Sequence, residues 1–518
     1  MRVIGDLSRL SARRYPSKAA LMMGDRHLTY ADIDGLSNRL AHALISKGIQ
    51  PGDRVALLAQ NRLDYGVITQ AVAKCGAILV TVNFRFVASE IRFVIENSGC
   101  KLLFYEEPFS TSIASVMPDL STKPELVVLA DEGPSSPTAS PSGCYRGLMM
   151  SQNDNPPDVE VDAQSAATIM YTSGTTGFPK GVMYSHAGYF RLFISNLVEL
   201  ELGRHDVFHI VLPMFHNAGL NGAFNSMMLI GASGVVHRGS FDPETILAEI
   251  ERYRITAAHW APTMLAMLCN YEGFSRFDVS SLTKINYGGM PIEVNVLRRA
   301  EALFSAKFYQ VYGATECGTV TVLRPEDHVQ WPQAAGREAF NAESRVVDEH
   351  MRDVPVGGVG EVIVRARDNG MLGYWNNPAA TAETIRDGWI HTGDLARVEP
   401  DSLLTIVGRM QEVIISGSEN IYAREVESVL ARHPAIQEVA VFGIPDAVFG
   451  EKVCAAIAVR SGAKLSEQEL EQFCLENMAR YKRPRVFEFH PELPKNSAGK
   501  ITKAKLRDVH WASRERSV

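Results

Sequence analysis

Tyr171-Thr-Ser-Gly-Thr-Thr-Gly-Phe-Pro-Lys-Gly181 is a run of glycines, hydroxyl side chains and one lysine. It follows the apolar, β-type run 166–170, which predicts a buried strand directly ahead of it. The glycines expose backbone amides, the hydroxyls donate hydrogen bonds and the lysine supplies positive charge, so the segment suits a polyphosphate. A nucleoside triphosphate is therefore the expected ligand.

The spacing of this loop differs from that of the Walker loop. It reads Gly174-x-x-Gly177-x-x-Lys180-Gly181, whereas a Walker loop has a glycine four residues before a Gly-Lys-[Ser/Thr] triplet. Pro179 would also obstruct the helix that a Walker loop enters directly. The sequence thus predicts a different phosphate cradle. A glycine-rich surface turn is the alternative, and it leaves the lysine, the hydroxyls and the preceding strand unexplained.

Apolar strands alternate with helical patterns from Leu28 to about residue 407, which predicts a layered α/β architecture. The segment 132–162 is rich in Pro, Ser and Asp and is predicted to be a surface connection. After Gly408-Arg409 the pattern restarts as a small α+β unit of about 110 residues, with a hinge near Arg409. The strands predicted before this point are 55–58, 77–82, 102–105, 127–130, 207–212 and 234–237. The strands predicted after it are 412–415, 438–442 and 453–459, with helices at 423–432 and 466–477.

Bulk properties exclude several classes of protein. The 518 residues predict two or more domains, and the net charge of −7 argues against a general nucleic-acid binder. The seven cysteines form no Cys-x-x-Cys pair and no zinc-like grouping with the fourteen histidines, so reduced thiols in a cytoplasmic protein are expected. No apolar run reaches the roughly 18 residues that a membrane-spanning helix needs.

The loop at 171–181 resembles the signature loop of the acyl-adenylate-forming superfamily, which includes acyl-CoA synthetases, peptide-synthetase adenylation domains and luciferases. The resemblance covers almost the whole chain, because further motifs follow in the order that the family has them. They are Pro213-Met-Phe-His216-Asn-Ala-Gly219, Tyr287-Gly-Gly-Met-Pro291, Tyr309-Gln-Val-Tyr-Gly-Ala-Thr-Glu316, His391-Thr-Gly-Asp394, Gly408-Arg409, Ser416-Gly-Ser-Glu-Asn-Ile-Tyr422 and Pro494-Lys-Asn-Ser-Ala-Gly-Lys500.

The resemblance implies an α/β fold with a large, layered amino-terminal domain at 1–408 and a small α+β lid at 409–518. It implies two half-reactions, between which the lid rotates. In the first, a carboxylate attacks the α-phosphate of ATP, giving acyl-AMP and pyrophosphate. In the second, a thiol takes the acyl group. The implied cofactors and co-substrates are ATP, Mg²⁺ and coenzyme A.

The implied nucleotide site has a physical reason for each role. The phosphate loop would hold the β- and γ-phosphates, which leave as pyrophosphate and need stabilisation as negative charge builds on them. Asp394 would accept hydrogen bonds from both ribose hydroxyls with support from Arg409, and Tyr312 would stack on adenine. The residues implied to bind the nucleotide are Thr172, Ser173, Gly174, Thr175, Thr176, Gly177, Lys180, Gly288, Gly289, Met290, Tyr312, Gly313, Asp394, Arg409 and Gly417.

Four residues are implied to act in catalysis. Glu316 would ligate Mg²⁺, a hard cation that prefers carboxylate and phosphate oxygens. Thr315 would bond the α-phosphate or the substrate carboxylate, and Lys500 would bridge those two groups. His216 corresponds to the family's histidine near the acyl tunnel. The basic segment 480–507, with nine Lys or Arg against two Glu, either attracts the phosphates of coenzyme A or is a solvated face.

The acyl pocket is predicted from missing bulk. Acetate-using relatives have a tryptophan at the position that matches Gly313, so a glycine there should leave an open cavity. Gly219, Gly222 and Ala223 suggest further room near His216, and no Arg or Lys in these motifs could receive a second carboxylate. A hydrophobic monocarboxylate, either aliphatic or a compact ring system, is therefore expected.

Two departures concern the thiol-transfer step. Gln411 stands where relatives have Asp or Lys, and Ser418 stands where they often have Gly. An AMP-forming acid–CoA ligase is favoured, and an oligomer is compatible with the sequence. An acyl-AMP ligase that loads an acyl-carrier protein or hands on the adenylate is the alternative within the family. A nucleotide-binding regulator without activity is a further alternative, against which Lys180, Glu316, Asp394 and Lys500 all argue.

Overall fold

The structure is a computed structural model that describes residues 3–130, 145–150, 152–172, 179–366, 370–416, 419–446, 448–495 and 501–512. Its α-helices are α1 Asp6–Arg14, α2 Tyr30–Ser46, α3 Leu63–Lys74, α4 Ala88–Ser98, α5 Ser110–Val116, α6 Tyr145–Met149, α7 His186–Glu199, α8 Ser226–Ile230, α9 Pro243–Tyr253, α10 Pro262–Cys269, α11 Val294–Leu303, α12 Pro378–Thr384, α13 Ala423–Leu430, α14 Glu467–Asn477 and α15 Lys503–Trp511.

The strands are short, as the alternating pattern predicted. They are β1 Ala19–Met23, β2 Arg26–Thr29, β3 Arg54–Leu58, β4 Ile78–Val82, β5 Leu102–Glu106, β6 Glu125–Leu129, β7 Ala166–Thr172, β8 Lys180–Ser185, β9 Val207–Ile210, β10 Ser233–Val236, β11 Ala257–Trp260, β12 Lys284–Gly288, β13 Lys307–Ala314, β14 Gly318–Leu323, β15 Arg337–Glu338, β16 Ser344–Val347, β17 Val359–Arg365, β18 Gly373–Tyr374, β19 Ile385–Arg386, β20 Trp389–Val398, β21 Leu404–Arg409, β22 Val413–Ser416, β23 Glu419–Tyr422, β24 Ile436–Asp446, β25 Gly450–Val459 and β26 Val486–His490.

Two largely parallel sheets form most of the chain. One has nine strands in the order β15-β14-β13-β12-β11-β9-β10-β1-β2, and the other has seven in the order β18-β8-β7-β4-β3-β5-β6. One buried cluster contains residues of both sheets and of α1, α2, α3, α7 and α8, so these helices lie between the sheets. The outer faces are covered by α4 and α5 on the seven-stranded sheet and by α9, α10 and α11 on the other. The predicted layered α/β class is confirmed.

Burial on both faces explains why the central strands are largely apolar. All five residues of β4, Ile-Leu-Val-Thr-Val, are buried, as are those of β5. A strand covered by helices on both sides shows a continuous apolar run instead of a polar alternation. The six strands predicted in this part of the chain are confirmed, each within two residues at either end.

The chain divides into two compact units. The first comprises residues 1–344 and 364–390, and the second comprises 345–363 and 391–518. The second unit contains a sheet in the order β23-β22-β25-β24, with β26 paired to β25, and the strands and helices predicted after residue 409 are confirmed there. The expectation that residues 409–518 form a lid that moves during the reaction stays a prediction.

Across the residues that the structure describes, no helix combines the length and the apolar composition needed to cross a membrane. The predicted surface connection 132–162 lies partly outside these residues, and its remainder contains the short helix α6. Cys75, Cys100, Cys269, Cys317, Cys454 and Cys474 are all buried and free of disulfide bonds.

Candidate active site

The predicted phosphate loop connects two paired strands of the seven-stranded sheet. β7 ends at Thr172 and β8 begins at Lys180, and these two residues face each other across the antiparallel pair. The Thr172 hydroxyl donates a hydrogen bond to the carbonyl oxygen of Lys180 at 3.4 Å. Pro179 leads into a strand, so the prediction that this loop differs from a Walker loop is confirmed. The other loop residues, Ser173, Gly174, Thr175, Thr176 and Gly177, lie outside the described residues.

Tyr374 connects Lys180 to Glu316. Lys180 Nζ lies 5.1 Å from the centre of the Tyr374 ring, within the range of a cation–π interaction. The Tyr374 hydroxyl donates to Glu316 Oε1 at 3.0 Å. Burial, followed by the negative charge of Glu316, raises the pKa of Tyr374, so the hydroxyl keeps its proton and remains a donor. One buried tyrosine, which sequence analysis missed, thus contacts both the loop lysine and the predicted magnesium ligand.

Backbone pairing fixes the position of Tyr374. β18 pairs antiparallel with β8, which brings Tyr374 opposite Val182. The Met371 N–H donates to the carbonyl oxygen of Glu316 at 2.8 Å, and the Trp375 N–H donates to that of Gly181 at 2.7 Å. The short segment 371–375 is therefore bonded both to the strand that follows the phosphate loop and to the turn that carries Glu316.

Thr315 and Glu316 lie in the hairpin turn between β13 and β14. The strands on either side are paired at Ala314 and Gly318, and Gly318 adopts a φ of 66°, which closes the turn. Both side chains are half-buried. A carboxylate at this turn is the type of oxygen ligand that fits Mg²⁺, and Glu316 could hold the ion together with phosphate oxygens. When bound, Mg²⁺ would offset the negative charge that builds on the leaving pyrophosphate.

The residues predicted to surround adenine lie at the carboxyl ends of two neighbouring strands. Gly288 ends β12 and pairs with Val311 in β13, and a Cβ there would lie only 2.2 Å from the Val311 carbonyl oxygen. Gly289 has a φ of 77° and open space around it, and Met290 is partly exposed. Tyr312 is half-buried on β13. Gly288 is therefore needed because β13 passes close to it, whereas Gly289 leaves room for a ligand.

The strand order of the nine-stranded sheet reverses at β9. β10 lies on one side of β9 and β11 on the other. The chain therefore leaves β9 toward one edge of the sheet and leaves β11 toward the other edge. Such a reversal forms a crevice at the carboxyl ends of β9 and β11. His216 is exposed in the loop after β9, and His259 lies near the end of β11. Burial, followed by the nearby charge of His216, lowers the pKa of His259 to about 4. His259, which sequence analysis missed, is therefore neutral at physiological pH.

A π-helix, Ala218–Asn225, follows His216 along the wall of this crevice. Helices of this type are rare and often mark functional sites. A Cβ at Gly222 would meet His259 Nδ1 and the Asn217 carbonyl oxygen at 3.9 Å, which is ordinary contact. Gly222 therefore faces the crevice, and the packing of the backbone around it does not require a glycine.

Two other glycines do not provide the room that the sequence suggested. A Cβ at Gly219 would lie 2.3 Å from the Pro213 carbonyl oxygen, and one at Gly313 would lie 1.9 Å from that of Gly318. Both glycines are needed because another backbone segment passes against them. The prediction that Gly219 and Gly313 enlarge the acyl pocket is wrong, and a tryptophan at 313 would displace β14 instead of filling a cavity.

The predicted ribose residues lie in the second unit, where they form an ion pair. Asp394 on β20 faces Arg409 on β21, and Arg409 Nε lies 3.0 Å from Asp394 Oδ1. Asp394 is buried, whereas the Arg409 side chain is about half exposed. Glu361 orients the motif, because it accepts from the Gly393 N–H at 3.0 Å and lies 2.7 Å from His391 Nδ1. Sequence analysis missed Glu361, which is thirty-three residues before Asp394.

Gly417, Ser418 and Lys500 lie outside the described residues. Most of the basic segment around Lys500 is described, and several of its cations are paired with acidic side chains. These pairs are Lys482 with Glu425, Arg483 with Glu471, Lys495 with Glu438, Lys503 with Glu412 and Glu427, and Arg507 with Asp508. Ion pairs within the second unit therefore neutralise part of the positive charge of this segment. The sequence suggested either a coenzyme A site or a solvated face, and these ion pairs were not expected.

Comparisons with known proteins agree with this architecture. Residues 9–375 match the model of the AMP-binding enzyme family, and residues 425–500 match that of the AMP-binding enzyme C-terminal domain. The chain is 36% identical to fatty acid–[acyl-carrier-protein] ligase ScoC of Streptomyces coeruleorubidus, over 98% of this chain and 96% of that protein. It is 33% identical to feruloyl-CoA synthase of an Amycolatopsis species, over 96% of each chain.

Solved structures show the same likeness. The anthranilate CoA ligase AuaEII in complex with anthranoyl-AMP is 27% identical, with a TM-score of 0.88 over 98% of this chain and 97% of that one. Two largely parallel sheets covered by helices, together with the sequence of the phosphate loop, define an ATP-dependent, acyl-activating enzyme. The chain belongs to the AMP-binding enzyme family, the acyl-adenylate-forming superfamily predicted from its motifs. It is an AMP-forming ligase of the acyl-CoA synthetase class, which uses ATP, Mg²⁺ and coenzyme A.

Proposed function

We propose that this enzyme activates a hydrophobic monocarboxylic acid as its acyl-AMP and transfers the acyl group to coenzyme A. The contact of Tyr374 with both Lys180 and Glu316 carries the proposal for the first step. It keeps a cation near the face and a carboxylate at the hydroxyl of one buried tyrosine, and such a pair suits a triphosphate with bound magnesium. The reaction is expected in the cytoplasm, where thiols such as the buried free cysteines stay reduced.

In the adenylation step, the carboxylate oxygen of the acid attacks the α-phosphorus and the bond to the β-phosphate breaks. Lys180 and the hydroxyls of the phosphate loop stabilise the charge on the departing pyrophosphate. Thr315, next to Glu316 in the same turn, positions the α-phosphate or the attacking carboxylate. Asp394 accepts hydrogen bonds from the ribose hydroxyls, and Arg409, at 3.0 Å, orients its carboxylate.

The crevice at the switch point is the proposed acyl pocket. It is bordered by the loop with His216, by the neutral His259 and by the open face of Gly222. A neutral imidazole does not attract a second carboxylate, so a monocarboxylate is favoured. Two relatives are consistent with this choice by their names, since one is a fatty acid ligase and another a feruloyl-CoA synthase.

Loading of an acyl-carrier protein is the second candidate function. It is favoured by the likeness to ScoC, which is named as a fatty acid–[acyl-carrier-protein] ligase, and by Gln411 and Ser418 at positions where relatives of the CoA ligase type commonly differ. In this alternative the acyl-AMP forms in the same way, and the pantetheine thiol of a carrier protein replaces coenzyme A.

A panel of carboxylic acids tests the proposed function directly. Acetate, octanoate, decanoate, anthranilate and ferulate would each be assayed in parallel for pyrophosphate release and for coenzyme A consumption. We expect a hydrophobic acid to support both at equal rates. Each buried methylene contributes about 0.8 kcal/mol, so burial of only three of the additional methylenes of octanoate would favour it over acetate roughly fiftyfold. Efficient turnover of acetate alone would contradict the proposed pocket, and pyrophosphate release without coenzyme A consumption would favour the carrier-protein alternative.

Gly222→Phe is expected to reduce kcat/KM for the favoured acid at least tenfold, because the ring would occupy the crevice beside His259. Its effect on ATP binding should be small. Gly222→Ala is the matched control, since a single methyl meets its neighbours at 3.9 Å. Steady-state kinetics across the acid panel would measure both variants. If Gly222→Ala and Gly222→Phe lose the same activity toward every acid, Gly222 does not border the pocket.

Gln411→Pro is expected to leave pyrophosphate release largely intact while thioester formation falls about tenfold or more. Gln411 lies in a single 3₁₀ turn, Met410–Glu412, between β21 and β22. Proline fits the φ of such a turn, but it restricts Met410 and fixes the backbone where the lid is predicted to pivot. Gln411→Ala, which keeps the backbone free, should behave like the unchanged enzyme. Equal thioester turnover in the proline and alanine variants would place the pivot elsewhere.

A further inference from the structure

Cys454, Glu488 and His510, here called the lid cluster, meet on one face of the sheet in the second unit, and His490 lies beside Glu488. Cys454 lies on β25, Glu488 and His490 lie on β26, and His510 lies on α15. The ligand atoms of Cys454, Glu488 and His510 all lie within 4.8 Å of one another. None of these residues has a role in the proposed adenylation or thiol transfer.

The sheet register explains why these side chains converge. β25 and β26 are parallel, with Ala456 opposite Glu488 and Ala458 opposite His490. Side chains two residues apart on a strand share a face, so Cys454 lies on the same face as these two alanines. The alanines are small, which leaves space above β25 for the longer side chains of β26 and for His510.

His510 and His490 both lie close to the Glu488 carboxylate, but neither forms a hydrogen bond with it. His510 Nε2 lies 2.9 Å from Glu488 Oε1, and His490 Nε2 lies 3.5 Å from Glu488 Oε2. Both Nε2 atoms are nevertheless buried without a hydrogen-bond partner. Each nitrogen thus approaches the Glu488 carboxylate without the alignment of a hydrogen bond. His510 Nε2, a Glu488 oxygen and Cys454 Sγ are close enough to one another to contact a single ion.

We propose that the lid cluster binds Zn²⁺ through Cys454, Glu488 and His510, with water in the fourth position. Thiolate, imidazole and carboxylate are the ligand types that zinc takes in tetrahedral sites, whereas Mg²⁺ and Ca²⁺ prefer oxygen alone. Zinc binding would form a sulfur–metal bond at Cys454 Sγ and release the thiol proton to solvent. Three protein ligands and one water complete a tetrahedral site.

Access and location support such a site. The side chains of Glu488, His490 and His510 remain about a quarter to a third exposed, so an ion can reach a cluster whose thiol is fully buried. The ligands come from two strands and from the last described helix, α15, which is also held by the Trp511 indole N–H donating to the Gly443 carbonyl at 3.1 Å. A bound ion would therefore fasten α15 to the sheet.

The lid cluster could not be recognised from the sequence, which showed no zinc-like grouping of cysteine and histidine. Zinc motifs are recognised by ligands a few residues apart, as in Cys-x-x-Cys. Here residue 454 is separated from 488 by 34 positions and from 510 by 56, so only the fold brings the ligands together.

The test uses the tag-free, full-length enzyme after removal of metal with a chelator. It would be dialysed against Zn²⁺, the bound zinc measured per chain, and the affinity obtained by competition with a chromophoric chelator. Substitution with Co²⁺ should give a thiolate-to-cobalt charge-transfer band in the near ultraviolet. We expect a single zinc ion per chain, and we expect pyrophosphate release with ATP and the favoured acid to be independent of it.

Two variants and two controls make the outcome decisive. Cys454→Ala should abolish the charge-transfer band, and His510→Gln, at a partly exposed position where folding should be preserved, should weaken zinc binding at least tenfold. Cys474→Ala and His433→Gln change a cysteine and a histidine of the same unit outside the lid cluster, and they should bind zinc like the unchanged enzyme. Zinc uptake that is equal in the unchanged enzyme and in His510→Gln, or lost equally in the two controls, would overturn the proposal.

Discussion

Glu316→Gln is expected to lower the rate of pyrophosphate release by roughly a hundredfold to a thousandfold. The substitution preserves the shape of the side chain and its contact with the Tyr374 hydroxyl, which lies 3.0 Å from Oε1 in the unchanged enzyme. It removes the negative charge that would ligate Mg²⁺, and a neutral amide oxygen is a weaker ligand for a hard cation. The charge that builds on the leaving pyrophosphate would then be stabilised mainly by Lys180 and the phosphate loop.

The measurement is a continuous assay of pyrophosphate release at a series of Mg²⁺ concentrations. If Glu316 ligates the ion, the glutamine variant should need a higher Mg²⁺ concentration for half-maximal rate and should recover part of its activity at saturation. Tyr374→Phe is the matched control, because it removes the hydroxyl but keeps the ring beneath Lys180. It should lower the rate about tenfold or less. A Glu316→Gln enzyme with an unchanged Mg²⁺ dependence would exclude Glu316 as the metal ligand.

Local sequence patterns were sufficient to predict the layered α/β class and several of its buried strands. Buried strands such as β4 and β5 are apolar runs of five residues bounded by loops, and such runs identify themselves without knowledge of their neighbours. The phosphate loop was equally local, because its glycines, hydroxyls and lysine lie within eleven residues and the strand β7 directly precedes them.

Residues that act through distant contacts could not be predicted in this way. Tyr374 contacts Lys180 and Glu316 only because β18 pairs with β8, more than 180 residues earlier in the chain. Glu361 orients the segment before Asp394 because β17 and β20 are neighbours in one sheet. Neither residue belongs to a recognisable motif, since the sequence around each is that of an ordinary strand.

Glycines were ambiguous for a different physical reason. The missing side chain of a glycine either leaves room for a ligand or permits another backbone segment to approach, and the sequence is the same in both cases. Gly222 belongs to the first kind, whereas Gly219 and Gly313 belong to the second, as their distances to carbonyl oxygens show. Only the positions of the neighbouring segments distinguish the two.

Lys500→Ala is expected to lower acyl-AMP formation by roughly a thousandfold, because the lysine would bridge the substrate carboxylate and the α-phosphate as charge develops there. The residue itself lies outside the described part of the chain, but its flanks are fixed. Lys495 and Ile501 form an antiparallel bridge, and the Thr502 N–H donates to the Pro494 carbonyl at 2.7 Å. The residues on either side of Lys500 are therefore held next to each other.

The two half-reactions should respond differently to this change. If the lid carries Lys500 away from the α-phosphate before the thiol arrives, thioester formation from preformed acyl-AMP and coenzyme A should stay within about threefold of the unchanged enzyme. Lys505→Ala is the matched control, since Lys505 is an exposed lysine of the same segment on α15, and it should affect neither half-reaction. Single-turnover assays of each half-reaction would separate the two rates. A Lys500→Ala enzyme that loses both half-reactions equally would show that the lysine serves the whole cycle, and that the predicted rotation does not remove it from the site.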